Sequence, residues 1–188
     1  MAHGVCPWWL GWLLVIPVRR LWQQPRTILG PHVRPGMTVL EPGPGMGFFT
    51  LELARLVAAG GRVVAVDVQP RMLEVLRRRA ARAGLLDRID TRLADGASMG
   101  VDDLAGEVDF VLALAVVHEL PDARAFFEQA AKALKPGGRL LLSEPRLHVP
   151  KSGFEATVGL AGQAGLKEES RPTIRGSRSV LLAQTRLE

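Results

Sequence analysis

Tyrosine is absent from the 188 residues, and cysteine occurs once, at Cys6. A lone cysteine excludes an intrachain disulfide, a cysteine-based zinc cluster and the several thiols that thiophilic metalloid chemistry needs; a reducing compartment is permitted by it, not proved. No apolar run is long: the best, Trp8 to Val18, spans about 11 residues against the roughly 18 that a membrane crossing requires, so no spanning helix is expected. A signal peptide fits poorly as well, because no positive charge precedes that run and Arg19-Arg20 follow it. Internal repeats and low-complexity tracts are missing. With 47% hydrophobic and 23% charged residues the composition is that of a folded globule, and 188 residues suit one core better than two.

What is present is concentrated in Val39-Leu40-Glu41-Pro42-Gly43-Pro44-Gly45-Met46-Gly47-Phe48-Phe49. An apolar run that ends in a carboxylate and breaks into alternating glycines predicts a buried strand turning sharply into a helix that begins near Phe48. Glycine at every second position bares the backbone to a ligand. The dinucleotide fingerprint G-x-G-x-x-G is not met, since Phe48 stands where its third glycine belongs, and no Lys-Ser or Lys-Thr completes a phosphate-binding Walker loop. The pattern that remains is acid-x-G-x-G-x-G, headed by Glu41.

Three further runs follow in order. Gly61 to Gln69 is a second buried strand closed by Asp67, about twenty residues beyond the glycines, where a ribose-binding carboxylate belongs; the alternative is that Asp67 caps the helix starting near Pro70. Ile89 to Gly96 closes on Asp95-Gly96, which is equally readable as a plain turn. Val108 to Asp122 is a strand followed by Val-His-Glu-Leu-Pro-Asp. A helical pattern over Ala125 to Leu134 then runs into Lys135-Pro136-Gly137-Gly138, a helix stop and turn before a fifth strand ending at Glu144.

These motifs, in this order over roughly Met37 to Glu144, resemble class I S-adenosylmethionine-dependent methyltransferases, and the fourth-strand segment is similar to the small-molecule enzymes of ubiquinone and menaquinone biosynthesis. The resemblance implies an α/β, single-domain, doubly wound and mostly parallel seven-stranded sheet, a Rossmann-like fold; the continuously apolar strands agree with that. A helix over Gly153 to Gly165 and two strands, Leu166 to Arg171 and Ser179 to Thr185, would supply the antiparallel sixth and seventh strands. The implied cofactor is S-adenosyl-L-methionine, held by Glu41, Gly43, Gly45, Gly47, Asp67, Val68, Gln69, Met72, Asp95, Gly96, Ala113 and Leu114, with Asp95 at the adenine amino group.

No separate substrate domain fits in the remainder, so the acceptor site must come from strand-end loops and the N-terminal segment. The expected division is 1–30 as an N-terminal helical lid and 31–188 as the methyltransferase domain. All four tryptophans lie within the first 22 residues, and Trp8, Trp12, Val15 and Trp22 recur at helical spacing, although Pro17 should kink the stripe. A lid, an interfacial helix touching lipid, a partner surface and a helix simply packed on the edge of the sheet all remain open; the resemblance favours the lid. Trp8, Trp12, His118 and Glu144 are the expected acceptor contacts. His118, Glu119 and His148 are the candidate acid-base groups, with a structural histidine bonded to a backbone carbonyl as the competing reading for His118. No metal is expected, because a magnesium triad would have only Glu119 and Glu144 to draw on.

Net charge is +5 and the pI about 10.3, mostly from arginine: Arg19-Arg20, Arg77-Arg78-Arg79 with Arg82, and Arg171, Arg175 and Arg178. Arginine-rich helices can track phosphates. Here Met72, Val75 and Leu76 form the expected inward face of that helix, leaving the arginines as a solvated outer face, and no aromatics are interleaved with them. Methyltransferases that attack base or amide nitrogens resemble one another in an (Asn/Asp/Ser)-Pro-Pro-(Tyr/Phe) turn after the fourth strand; Ala113-Leu114-Ala115-Val116 stands there instead. The expectation is a cytoplasmic transferase that methylates a small, hydrophobic molecule, with nucleic acid disfavoured and peripheral membrane contact through the N-terminal segment left open. Methylation of RNA or protein, and a non-catalytic cofactor-binding module, are the alternatives; the oligomeric state is open.

Overall fold

A computed structural model describes residues 23–96 and 98–185. The expected lid, with Trp8 and Trp12, lies outside the described residues. The chain forms α1 (Pro25–Leu29), β1 (Thr38–Pro42), α2 (Thr50–Leu56), β2 (Arg62–Asp67), α3 (Pro70–Arg82), β3 (Ile89–Leu93), β4 (Val108–Leu114), α4 (Ala123–Ala133), β5 (Leu134–Pro145), α5 (Lys151–Gln163), β6 (Leu166–Ser170) and β7 (Ser177–Gln184). The strands make one seven-stranded sheet in the order β3-β2-β1-β4-β5-β7-β6. Chain order reverses at β1, whose neighbours are β2 on one side and β4 on the other, both parallel to it.

Strand periodicity divides the core between the two faces. Val39, Val63, Ala65, Phe110, Leu112, Leu141 and Leu181 face α1, α2 and α3, meeting Leu29, Leu53, Leu73 and Leu76. The alternate residues Leu40, Val64, Val66, Val111, Ala113, Leu140, Leu142, Val180 and Leu182 face α4 and α5, meeting Phe126, Phe127, Phe154 and Ala161. Because both faces are covered, the strands read as unbroken apolar runs. Leu29 and Val33 are buried in this core, so the folded unit reaches back into α1.

The helix ends follow local chemistry. Pro70 opens α3 at a position where its missing N–H costs nothing. Gly84, at φ 65°, closes it: its N–H reaches the Ala81 carbonyl at 3.1 Å while Leu85 N–H reaches Ala80 at 3.0 Å, a Schellman pair. Asp122 caps α4 by accepting the Ala125 N–H at 2.9 Å.

Four expectations need correction. The helix after the glycine turn starts at Thr50, not near Phe48, because residues 45–49 are spent on turns. Only β7 opposes the other strands; β6 is antiparallel to β7 and so runs in the same sense as β5. Lys135 to Gly138 is no separate turn but a bulge within β5, where Val108 pairs with Leu134 and Phe110 already with Arg139. The inward face of α3 is Met72, Leu73, Leu76 and Ala80, with Val75 at its margin.

Phe127 is fully buried between α4 and the sheet, and truncating such a ring should cost about 3–5 kcal/mol. Urea denaturation of Phe127→Ala is expected to show a loss of that size; a change under about 1 kcal/mol would mean that this face is not packed as described.

Candidate functional site

The parallel register brings the strand ends level. Pro42 pairs with Val66, and Leu114 with Ser143, so Glu41, Asp67, the residues after Leu114 and Glu144 share one edge of the sheet. The helices after β1 and β4 leave on opposite faces, which opens a crevice at this edge.

On the β1 side, Gly43, Gly45 and Gly47 all have positive φ, 66°, 53° and 84°, the left-handed region that side chains resist. Their surroundings differ. A Cβ on Gly43 would sit 2.7 Å from Val116 Cγ2, and one on Gly47 would collide with Leu76 Cδ1, so these two glycines are needed for close packing. A Cβ on Gly45 would meet nothing within 4 Å. The space there belongs to the crevice. Gly43 N–H holds the turn to β2 through the Val66 carbonyl at 2.9 Å, and Arg79 donates to the Met46 carbonyl from α3. One arginine of the supposedly solvated cluster therefore pins the turn, a role that composition could not reveal. Its neighbours are also engaged: Arg77 reaches Thr91 Oγ1 at 2.6 Å and Arg78 pairs with Glu74 at 2.8 Å.

Two carboxyls back the turn. Asp67 is buried at 8% exposure and accepts the N–H of Gln69 at 2.9 Å, with Gly45 and Val68 also donating to it. Burial nonetheless pushes its pKa up to about 6, with the nearby Glu119 charge adding to the rise. It caps no helix by side chain, since the α3 N-cap is Gln69 without such a bond. Glu41, at 4% exposure, is pushed up to about 8 by desolvation, which the nearby Thr50 hydroxyl opposes and, to a lesser degree, the Asp67 charge reinforces. Yet neither Glu41 Oε2 nor Thr50 Oγ1 completes a well-formed hydrogen bond. A buried carboxyl oxygen without a donor, beside a turn with open space at Gly45, fits a bound group that brings its own donors.

After β3, Asp95 is exposed and its Oδ1 accepts the Ser98 N–H at 2.8 Å, which closes the loop; Gly96 beside it has φ 90°. Val68 is exposed at the rim and Gln69 half-buried, whereas Met72 is buried. Ala113 is fully buried with its side chain in the α4 and α5 core, so it can offer a ligand only its backbone. Leu114 is half-buried against the other face.

On the β4 side, Ala115 holds φ 55°, a left-handed conformation rare for a residue with a Cβ, and its N–H reaches the Ser143 carbonyl at 2.7 Å. That kink turns the chain into Val117–Glu119, a single 3₁₀ turn. Glu144, expected as an acceptor contact, is instead 1% exposed beneath this turn. Its Oε1 accepts the N–H of Val117 at 2.9 Å and of His118 at 3.2 Å, and its Oε2 lies 2.6 Å from His118 Nδ1. His118 is thus held by a side-chain carboxylate, not by the backbone carbonyl of the competing reading. Glu119 Oε1 stands 4.0 Å from His118 Nε2, and the His148 ring is 5.7 Å from that of His118, tilted by 52°. The three candidate acid-base residues are brought together. A signal for Glu144 was present in the sequence: like Glu41 and Asp67, it is an acid closing an apolar strand. Among the described residues no group of three His, Cys, Asp or Glu side chains is arranged to hold a metal. A separate open cleft of about 460 Å³ between α1 and α2, lined by Gln24, Pro25, Arg26, Phe48, Glu52 and Arg55, lacks any such cluster of chemistry.

Residues 40–142 match the family model of a methyltransferase domain. The chain belongs to the S-adenosylmethionine-dependent methyltransferases. It is 36% identical over 138 residues to a ubiquinone biosynthesis O-methyltransferase from Methylocella silvestris, covering 72% of this chain and 50% of that protein. To a ubiquinone/menaquinone biosynthesis C-methyltransferase from Idiomarina loihiensis it is 31% identical over 132 residues, 70% of this chain and 51% of that one. The chain therefore spans about half the length of the curated relatives it matches. In fold it is similar to a SAM-dependent methyltransferase from Aquifex aeolicus, with a TM-score of 0.85 at 22% identity over 96% of this methyltransferase and 100% of that chain. S-adenosylmethionine is the family's cofactor, and the open space at Gly45 beside the unpartnered Glu41 oxygen is compatible with such a group.

The glycines of this methyltransferase turn should separate by substitution. Gly45→Ala is expected to cost about 1 kcal/mol, the left-handed backbone alone, whereas Gly43→Ala adds the Val116 collision and should cost clearly more. Thermal unfolding of the two variants checks this; equal losses would contradict the packing described.

Proposed function

We propose that this chain transfers the methyl group of S-adenosylmethionine to a small, apolar acceptor molecule. The observation that carries the reading is the crevice itself, which has a glycine turn and two buried carboxyls on one wall and, beyond the apolar Ala113 to Val116 segment, an imidazole on the other. Asp67 takes the ribose hydroxyls, Asp95 and Gly96 the adenine amino group, and Val68, Gln69, Met72 and Leu114 the adenine faces. Glu41 Oε2 receives a donor at the methionyl end. When bound, the cofactor supplies a methyl carbon activated by its sulfonium. The chain must align an acceptor with it, exclude water and, where the acceptor is protonated, remove the proton.

The relatives named for ubiquinone and menaquinone biosynthesis support a small acceptor over a macromolecule. The basic surface does not argue otherwise. Arg71 and Arg78 pair with Glu74, Arg92 with Asp90 and Asp103, Arg139 with Glu169, and Arg171 with Glu155 and Glu168. Arginines already bound to carboxylates are poor phosphate tracks.

Two measurements test the reading. Ribose hydroxyls donate to the ionised form of Asp67, so the bound carboxyl must have a lower pKa than the free one at about 6. Through Asp67, affinity should then fall as pH drops through about 6. Calorimetry is expected to show that fall, and Asp67→Asn should bind at least about tenfold more weakly, since each charge-assisted bond is worth about 1.5–3 kcal/mol. Affinity that is flat from pH 8 to 5 would remove Asp67 from the cofactor. Tritiated methyl transfer to a panel of phenols, quinols, thiols and amines, run beside total RNA, tests the acceptor: transfer to small apolar acceptors with weak salt dependence is expected. Salt-sensitive incorporation into RNA alone would reverse the assignment, because phosphate binding weakens by orders of magnitude between about 50 and 200 mM salt.

A further inference from the structure

Glu144 has no solvent to turn to, being 1% exposed. Two of its three contacts, the N–H groups of Val117 and His118 on Oε1, can only donate. The third is the 2.6 Å approach of Oε2 to His118 Nδ1, short enough for a charge-assisted bond. An ionised carboxylate has no proton to give, so Nδ1 carries the hydrogen and the lone pair of a neutral ring sits on Nε2. Glu119 Oε1, at 4.0 Å, is too far from Nε2 to bond it. The glycine turn packs at Gly43 against Val116, two residues before His118, which brings the turn after β4 up to the glycine wall of the crevice. Glu144, Glu119 and His148 are the titratable groups that face His118 among the described residues.

We propose that Glu144 is a positioning residue that locks His118 in its Nδ1–H form, leaving Nε2 as the general base for an acceptor with a weakly acidic hydroxyl, a phenol or enol. The proposal rests on the methyl-transfer reading above and names the class of its acceptor. The hydroxyl proton goes to Nε2; the oxygen pair it leaves behind forms the bond to the methyl carbon, and the pair of the broken carbon–sulfur bond stays on sulfur. The imidazolium so formed keeps its bond to Glu144 and gains attraction from Glu119. A thiol already ionised near neutral pH would need no such base.

The test uses Glu144→Gln and His118→Asn with a matched pair of probes, an apolar phenol and the thiophenol of the same shape. A glutamine can serve the two backbone donors only by turning its carboxamide oxygen to them, which aims its NH₂ at Nδ1 and forces the hydrogen onto Nε2. Phenol turnover is expected to fall about 100-fold or more in both variants, and thiophenol turnover far less. In the parent, phenol kcat/KM should rise with pH through the His118 titration, which Glu144 holds above the ordinary histidine value; in Glu144→Gln the residual limb should move to lower pH. Nitrogen-15 spectra of the S-adenosylhomocysteine complex should show the His118 hydrogen on Nδ1 in the parent and on Nε2 in Glu144→Gln. An unchanged tautomer, or equal losses for phenol and thiophenol, would overturn the positioning role. If Glu144→Gln does not fold, His118→Asn, altered only at a half-exposed ring, still decides the probe comparison. A parent that binds S-adenosylhomocysteine but methylates neither probe overturns the hydroxyl acceptor, whereas a parent that does not bind it overturns the cofactor reading beneath.

Discussion

The pairing of β1 with β2 on one side and β4 on the other is the constraint on which the rest of the molecule depends. Parallel strands in register deliver their carboxyl ends to one line, while right-handed crossovers from opposite flanks of β1 carry their helices to opposite faces. The gap between those helices is not carved out of the core; it is what remains when two half-folds diverge. The polar groups of the site cluster at the carboxyl ends of the strands: Glu41, Asp67 and Glu144 in the last residues of β1, β2 and β5, and Asp95 and His118 in the loops that follow β3 and β4. Glu41 and Asp67 combine a rigid base in the sheet with burial deep enough to raise their pKa.

Burial acts differently on the three acids of that edge. Glu144 is satisfied by three donors from the turn after β4. Asp67 is met by backbone N–H groups yet remains displaced upward, and Glu41 is left with an orphaned oxygen. The acid that is satisfied organises its own neighbourhood. Glu41, which is not satisfied, lines the place where a ligand would supply what is missing.

Much of this was legible in the sequence because strand ends announce themselves. Continuous apolar runs closed by an acid marked the strand positions and their parallel arrangement, and the glycine alternation marked the turn. What could not be read depends on partners distant in the chain. That Gly43 makes room for Val116 and Gly47 for Leu76, while Gly45 makes room for nothing in the protein, requires the packed neighbours. The strand sense of β6 depends on β7 crossing over between it and β5. Arg79 looks like its neighbours until the turn of β1 is set against α3. Ala115 has no sequence mark at all: its left-handed backbone is imposed by the bond to Ser143 on the next strand, and only that imposition aims the following imidazole at Glu144.

Glu41 carries a further consequence. With its pKa near 8 in the fold against 4.5 for an ordinary glutamate, the protein without ligand holds a proton at neutral pH that the unfolded chain releases. The folded state then binds more protons than the unfolded one between those values, so its stability declines as pH climbs from about 4.5 to 8 and levels off above. A donor arriving at Oε2 draws the carboxyl back toward ionisation and expels that proton. On the proposed reading, loading the crevice would also release acid, and the contribution of Glu41 to the stability of the unliganded protein is smallest above about pH 8.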